Sequence, residues 1–394
     1  MAHIAWLGKK SPFCGNVTYG LSTTEALRQR GHQISFIHFD NPGSPGSSTT
    51  SLLANDPDVS LPYLVKSQVY TIPSPRAQRE LRESLERLQP DLVHASLTLS
   101  PLDFRLPDLC QQLGVPLVAT FHPAFDAGLR NLTAGTQQLT YQLYAPALAR
   151  YDRVIVFSEM QADVLTRLGV QAQRLAVIPN GVNQEQWAPA RLSANGLPIG
   201  ERSERQRVRE RLGPQRVFLY MGRVSTEKNV EALLKAWKLV NPAGCTLVIV
   251  GDGPLRTTLQ NTHPADNVLW WGYESNLDTR VALLQEAEVF VLPSLVEGLS
   301  IALLEAMASG CACLATDAGA DGEVLADGAG IVLSTQGVTT QLRTLLPVLR
   351  DQPVLTAELG RRARERVLER YTLNRNIDAL EQLYRSLLTA HLAA

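Results

Sequence analysis

In PSLVEGLSIALLEAMASG, residues 293–310, two glutamates, Glu297 and Glu305, stand in an otherwise apolar run. Ser300 is a good N-cap residue and Gly310 suits the left-handed position after a helix end, so Ile301–Ser309 reads as a short helix. It is apolar all round except at Glu305, as a buried helix is. A buried carboxylate is costly unless something binds it. Glu297 lies before the helix, at its mouth. The two acids do not share a helical face, so they read as two separate contacts along an elongated ligand. A carboxylate accepts from two hydroxyls at once. That suits Glu305 to a vicinal diol such as ribose O2′ and O3′, and Glu297 to the hydroxyls of a sugar. The amides of Gly298, Leu299 and Ser300 offer further donors to a phosphate or hydroxyl. The competing reading of Glu305 is an ion pair with a buried arginine.

A second segment supplies the cations. The apolar strand Phe218–Met221 runs into GRVSTEKN, residues 222–229, whose only cations are Arg223 and Lys228, and a helix follows at Val230. Two cations beside a helix N-terminus, with Gly222 at the strand end, make a diphosphate clamp; a solvated pair is the plainer alternative. Sugar, diphosphate and ribose together compose a sugar nucleotide. No Asp-x-Asp motif stands among these residues, so no metal and no cofactor is expected, and Arg223 and Lys228 would neutralise the phosphates instead.

Three weaker signals lie elsewhere. The first strand ends in WLGKKSPFCGNVTYG, which places Gly15 and Asn16 in a loop before a helix at Leu21–Arg30. A glycine there lets backbone approach an anion at a helix N-terminus, or it is an ordinary turn; neither the GxGxxG nor the GxxxxGK[ST] fingerprint is present. Strand Leu117–Phe121 delivers His122, either functional at a cleft rim or structural. Strand Leu247–Val250 delivers GDGP, residues 251–254, read as a turn with Asp252 capping the next helix.

These residues need a scaffold that carries strand ends to one place. Strand candidates are Ile4–Leu7, Ile34–His38, Leu92–Ala95, Leu117–Phe121, Val154–Phe157 and Leu175–Ile178, then Phe218–Met221, Leu247–Val250, Val268–Trp270, Val289–Leu292, Cys313–Thr316 and Ile331–Leu333, with amphipathic stretches such as Arg79–Leu88 between. Alternation of this kind implies an α/β fold of parallel, doubly wound sheets. The expected organisation is two facing Rossmann-like domains with a cleft between them. Residues 1–190 form an N-terminal, acceptor-binding domain and 191–214 a linker containing the mixed-charge run Glu201–Arg211. Residues 215–373 form a C-terminal, nucleotide-sugar-binding domain, and 374–394 a closing helix.

Composition removes other classes. A net charge of −1 over 394 residues gives no basic field for nucleic acid. No apolar run reaches the roughly 18–20 residues of a membrane span, and Met1–Leu7 begins as a strand rather than a signal peptide. A cytoplasmic setting is therefore expected. The five cysteines, Cys14, Cys110, Cys245, Cys311 and Cys313, are scattered and read as free thiols.

Taken in order, the Gly15 loop with RGH (30–32), VIPNGVN (177–183), GRVSTEKN, VIVGDGP (248–254) and EGLSIALLE resemble the motifs of retaining glycosyltransferases of the GT-B fold, family four. The likeness spans nearly the whole chain, and its last motif matches that family's E-x7-E. The resemblance implies that Glu297 holds the donor sugar and Glu305 the ribose, that Arg223 and Lys228 hold the diphosphate, that backbone at Gly15 closes on the phosphates, and that His122 meets the sugar near the reacting carbon. The chain departs from the family at Cys14, where a second glycine is usual, and at Asn16, while Tyr19 stands where an aromatic or His is usual. GKKSPFCGNVTYG, LVHASLTLSPLDF (92–104) and GTQQLTYQLYAP (135–146) are similar to the family's digalactosyldiacylglycerol-forming subgroup. That implies UDP-galactose as donor and a glycolipid acceptor at a membrane surface. The helix candidate Gly135–Arg150, with Leu139, Tyr141, Leu143, Tyr144 and Leu148 between Arg130 and Arg150, could be an interfacial helix or an ordinary core helix. Another sugar nucleotide, a soluble acceptor, an epimerase and a non-catalytic sugar-nucleotide sensor are the alternatives.

Overall fold

The computed structural model describes residues 1–11, 14–40, 58–67, 70–123, 134–190 and 202–393. The first part of the chain carries strands β1 (His3–Leu7), β2 (Gln33–Phe39), β3 (Val59–Leu61), β4 (Tyr63–Lys66), β5 (Thr71–Pro73), β6 (Leu92–Ser96), β7 (Leu117–Thr120), β8 (Arg153–Val156) and β9 (Leu175–Val177). The second carries β10 (Arg216–Met221), β11 (Cys245–Val250), β12 (Val268–Gly272), β13 (Ala287–Leu292), β14 (Ala312–Thr316) and β15 (Ile331–Leu333).

They form two parallel sheets, ordered β3-β2-β1-β6-β7-β8-β9 and β12-β11-β10-β13-β14-β15, and a small antiparallel ribbon, β4-β5. Helices on both faces of a parallel sheet bury its strands on both sides, so the strands read as continuous apolar runs. Accordingly Ile4, Ala5, Trp6 and Leu7 of β1 are all buried, as are Val289 to Leu292 of β13. The chain divides into two compact units. One comprises Met1–Pro123, Thr136–Asn180 and Leu373–Ala394; the other comprises Ala124–Gly135 and Gly181–Thr372.

All twelve expected strands are present; β3, β4 and β5 are additional. Three residues of β3, paired at the sheet edge with Ile37–Phe39, are too few to show a period. The first helix differs from expectation. It runs Gly15–Gln29, not from Leu21, so Gly15 and Asn16 lie in its first turn rather than in a loop before it. Gly, Asn, Val and Thr are weak helix formers, but Val17, Tyr19 and Gly20 are buried, and packing of that face sustains the extra turns. The mixed-charge run contributes a helix, Arg202–Leu212. Its Val208 and Leu212 are buried, and Arg205 pairs with Glu286 at 2.5 Å. The last helix, Leu373–Ala393, packs with the first unit, where Tyr384 Oη lies 2.5 Å from His94 Nδ1.

Candidate functional site

Each sheet reverses its strand order once, between β1 and β6 and between β10 and β13. At such a point the loops leaving the carboxyl ends of neighbouring strands diverge and open a crevice where ligands bind. In the second unit those loops are Gly222–Asn229 and Pro293–Ser300. Two hydrogen bonds join them: Leu295 N donates to Glu227 O at 2.8 Å, and Asn229 Nδ2 donates to Pro293 O at 3.1 Å. Across this join Lys228 Nζ meets Glu297 Oε1 at 2.5 Å. Arg223 Nη2 meets Glu227 Oε1 at 2.7 Å. Lys228 is thus brought beside Glu297 and Arg223 beside Glu227 of its own loop, so each cation expected to neutralise phosphate already has a carboxylate within reach.

Ser300 is the N-cap of the helix Ile301–Ala308, its Oγ accepting from Leu303 N. Its own amide is not available as the ligand donor expected from the sequence, because it donates to Asp321 Oδ1 at 2.9 Å. Asp321 is fully buried, and its Oδ2 has no hydrogen-bond partner. Burial first, then the nearby charge of Glu297, holds its carboxyl well above the usual carboxylate range. Ala320 N donates to Gly298 O at 2.7 Å. Gly319, at φ +61°, fits so tightly that a Cβ there would lie 2.2 Å from Glu297 O and 2.4 Å from Gly298 O. The segment after β14 therefore braces the loop that carries Glu297, Gly298 and Leu299.

Glu305 is only 2% exposed and pairs with Arg280 Nη2 at 2.8 Å. Burial pushes its carboxyl up to about 7, with Arg280 opposing the shift. The ion pair with an arginine, one of the two sequence readings of Glu305, is what the structure contains. GDGP is not a plain capping turn: Asp252 Oδ1 accepts from Gly253 N, and the next helix, beginning at Arg256, has no side-chain cap. Gly251, at φ +136°, lies against the cation loop, where a Cβ would come within 1.8 Å of Gly222 O, and Val224 N donates to Asp252 O at 2.9 Å. This turn shapes the backbone of Gly222–Val224.

In the first unit the reversal between β1 and β6 brings Asn16 to Ser96. Asn16 Nδ2 donates to Leu97 O at 3.1 Å, Ser96 Oγ donates to Asn16 Oδ1 at 2.9 Å, and Ser96 Oγ lies 2.8 Å from His122 Nε2. The His122 ring is flanked edge-on by Tyr19 at 5.0 Å and by a tilted Phe157 ring at 5.2 Å. Burial, with Lys9 adding to it, pushes His122 down to about 3, so its imidazole is neutral at physiological pH. Gly15, exposed in the first helical turn, has nothing within 4 Å of a Cβ position.

The helix expected over Gly135–Arg150 runs Ala134–Leu148. Tyr141, Tyr144 and Leu148 are buried, while Leu139 and Leu143 are exposed. Arg150 pairs with Asp108, and Arg130 lies outside the described residues. Among the described residues no helix is long and apolar enough to cross a membrane, and no group of three or more His, Cys, Asp or Glu could hold a metal ion. The residues that sequence reasoning missed are Ser96, Glu227, Arg280 and Asp321. Ser96 ends a strand at the order reversal, so the strand-end rule could have found it.

Residues 15–186 match the family described as Glycosyltransferase Family 4, and residues 215–350 match Glycosyl transferases group 1. The chain belongs to glycosyltransferase family 4. As an enzyme it is a retaining hexosyltransferase, and its two Rossmann-like sheets are those of the GT-B fold. Proteins to which the chain is similar include the Escherichia coli UDP-Gal:alpha-D-GlcNAc-diphosphoundecaprenol alpha-1,3-galactosyltransferase, 24% identical over 319 residues that cover 77% of each chain. They also include the Streptococcus pneumoniae alpha-monoglucosyldiacylglycerol synthase, 26% identical over 251 residues, 59% of this chain and 53% of that one. The structure of Anabaena HepE in complex with UDP-glucose superposes with a TM-score of 0.76 at 17% identity, covering 97% of this chain and 99% of that one.

Proposed function

We propose that this glycosyltransferase moves a galactosyl residue from UDP-galactose to a sugar hydroxyl of a galactolipid, monogalactosyldiacylglycerol, at a membrane surface. The observation that carries the donor half is the contact between Lys228 and Glu297 across the strand-order reversal. It sets a cation suited to a departing diphosphate against a carboxylate suited to sugar hydroxyls. UDP would occupy the second unit, with its ribose at Glu305, its phosphates at Arg223 and Lys228 and the amides of Gly298 and Leu299, and its hexose at Glu297. Lys228 and Arg223 would exchange their carboxylate partners for phosphate oxygens, whose geometry the arginine fork matches as it matches a carboxylate. From the first unit we assign the Gly15–Asn16 turn to the phosphates and His122 to a hydroxyl of the sugar.

The reaction we assign is front-face substitution. The bond from the anomeric carbon to the β-phosphate oxygen breaks, the bond to the acceptor oxygen forms on the same face, and the acceptor proton passes to the departing phosphate oxygen. Catalysis then rests on stabilising the leaving charge, which is where fixed donors in a water-poor site act most strongly. The acceptor half is supported by the polyprenol-linked acceptor named for one of the relatives above and the glycolipid product named for the other. It is also supported by exposed Leu139 and Leu143, one helical turn apart. The test is UDP release from a panel of nucleotide hexoses with and without monogalactosyldiacylglycerol vesicles. Release that requires both UDP-galactose and the galactolipid is expected. Release with a soluble sugar acceptor alone would redirect the acceptor assignment, and turnover of donor with no acceptor and no UDP release would mean an epimerase.

A further inference from the structure

The hydrogen bonds around His122 fix which of its two nitrogens carries the proton. The Leu97 carbonyl can only accept, so the group of Asn16 that faces it, 3.1 Å away, is the amide nitrogen. That turns Asn16 Oδ1 toward Ser96, and a carbonyl oxygen again only accepts, so the Ser96 hydroxyl spends its one proton there, over 2.9 Å. Ser96 Oγ then has only lone pairs left for the His122 Nε2 that lies 2.8 Å from it. The ring must donate from Nε2. Since the imidazole is neutral, Nδ1 is left as a hydrogen-bond acceptor.

We infer that Asn16 and Ser96 are positioning residues, a one-way relay from a backbone carbonyl that locks His122 in the Nε2–H form and so makes it an acceptor for a hydroxyl of the substrate. Tyr19 and Phe157 hold the ring plane from its flanks, at 5.0 and 5.2 Å, so the tautomer and the orientation are set together. An acceptor-only nitrogen welcomes a hydroxyl and repels a carboxylate at the same position, because the carboxylate has no proton to give. The relay therefore selects a neutral hexose over a hexuronate. The direction of the relay depends on Asn16. The selectivity rests on the assignment of His122 to the donor sugar; the tautomer does not.

The experiment reads the two separately. Long-range proton–nitrogen spectra of the whole protein labelled at its histidine ring nitrogens, with His122→Gln identifying the His122 signals, report the tautomer without any substrate. Expected is a single neutral Nε2–H form in the wild type and, in Ser96→Ala, a mixture of both tautomers with an upward shift of the His122 titration. A wild-type ring protonated at Nδ1, or an unchanged spectrum in a folded Ser96→Ala, overturns the relay. Should Ser96→Ala fail to fold, Asn16→Ala tests the same link, since it frees the Ser96 hydroxyl to reverse. In the activity arm, kcat/KM for UDP-galactose over UDP-galacturonate is expected to fall at least tenfold in either variant. An unaltered ratio alongside the expected spectra would overturn the selectivity, and with it the placing of His122 at the sugar, while leaving the tautomer intact.

Discussion

Lys228 Nζ and Glu297 Oε1 lie 2.5 Å apart, and they come from loops after two different strands, β10 and β13. The Arg223–Glu227 pair lies within one loop, whereas this contact joins two, and the pairing of β10 with β13 brings them together. If Lys228 neutralises the leaving diphosphate, removing it forfeits a charge that matters most in the transition state. Losing one such donor costs about 2.7–4 kcal/mol, or roughly 10²–10³ in kcat. Lys228→Ala is therefore expected to lower kcat by that factor while its thermal midpoint stays within a few degrees of wild type. Steady-state kinetics beside a melting curve checks it, and near-normal turnover in the folded variant would refute the role.

The brace behind Glu297 makes a second prediction. Asp321 Oδ1 is the partner of the Ser300 amide, and Ala320 N holds Gly298 O. Asp321→Leu leaves that amide buried and unsatisfied, which costs about 1–3 kcal/mol, and lets the Glu297 loop drift. Asp321→Asn keeps an acceptor at Oδ1 without the carboxyl. Expected is a loss of kcat and stability in Asp321→Leu that Asp321→Asn largely restores. Equal damage in both would mean that the carboxyl itself, not its hydrogen bond, is required.

Much of this was legible in the sequence, for identifiable reasons. Parallel strands buried on both faces appear as unbroken apolar runs, so β10, β11 and β13 were located. The N-cap at Ser300 and the buried helix behind it followed from residue types alone. What could not be read was partnership. Glu305 calls for a cation, but 37 lysines and arginines are available, and nothing in the pattern of Leu277–Glu286 marks Arg280. Asp321 looks like a turn residue in DAGADGEV; only the fold brings it under Ser300. Gly15 and Asn16 were assigned to a loop before the helix; buried Val17 and Tyr19 carry the helix back to Gly15.

Close approach of backbone yields a third prediction. A methyl at residue 251 would lie 1.8 Å from Gly222 O, in a conformation at φ +136° that side chains rarely adopt. Gly251→Ala must displace the Gly222–Val224 backbone that carries Arg223. The expected result is a rise in the Kd for UDP of tenfold or more, read by calorimetry, with a lowered melting temperature. Gly337→Ala, at φ +65° but with nothing within 4 Å, is the control for positive-φ strain alone. UDP affinity equal in the two variants would separate Gly251 from the phosphate loop.

The Glu305–Arg280 pair makes stability depend on pH in a direction that can be worked out. The folded-state carboxyl titrates near 7, above its ordinary value of 4.5, because burial disfavours the charged form more than Arg280 restores it. Between those values the native protein holds a proton that the unfolded chain has released, so stability falls as pH rises from about 4.5 through about 7. Below that window the carboxyl is neutral in both states and the cost is absent; above it the cost is complete, on the order of 3 kcal/mol. Glu305→Gln cannot ionise and is expected to abolish this part of the slope, making the variant relatively more stable than wild type at pH 8 than at pH 5 in urea melts. A ribose diol donates two hydrogen bonds and prefers the ionised acceptor. The donor KM of the wild type is therefore expected to fall as pH passes upward through 7, and that of Glu305→Gln to be raised and independent of pH over the same range. Identical pH slopes of stability in the two proteins would remove the titration of Glu305. An unchanged donor KM would remove its contact with ribose and leave the pair with Arg280 as a structural one.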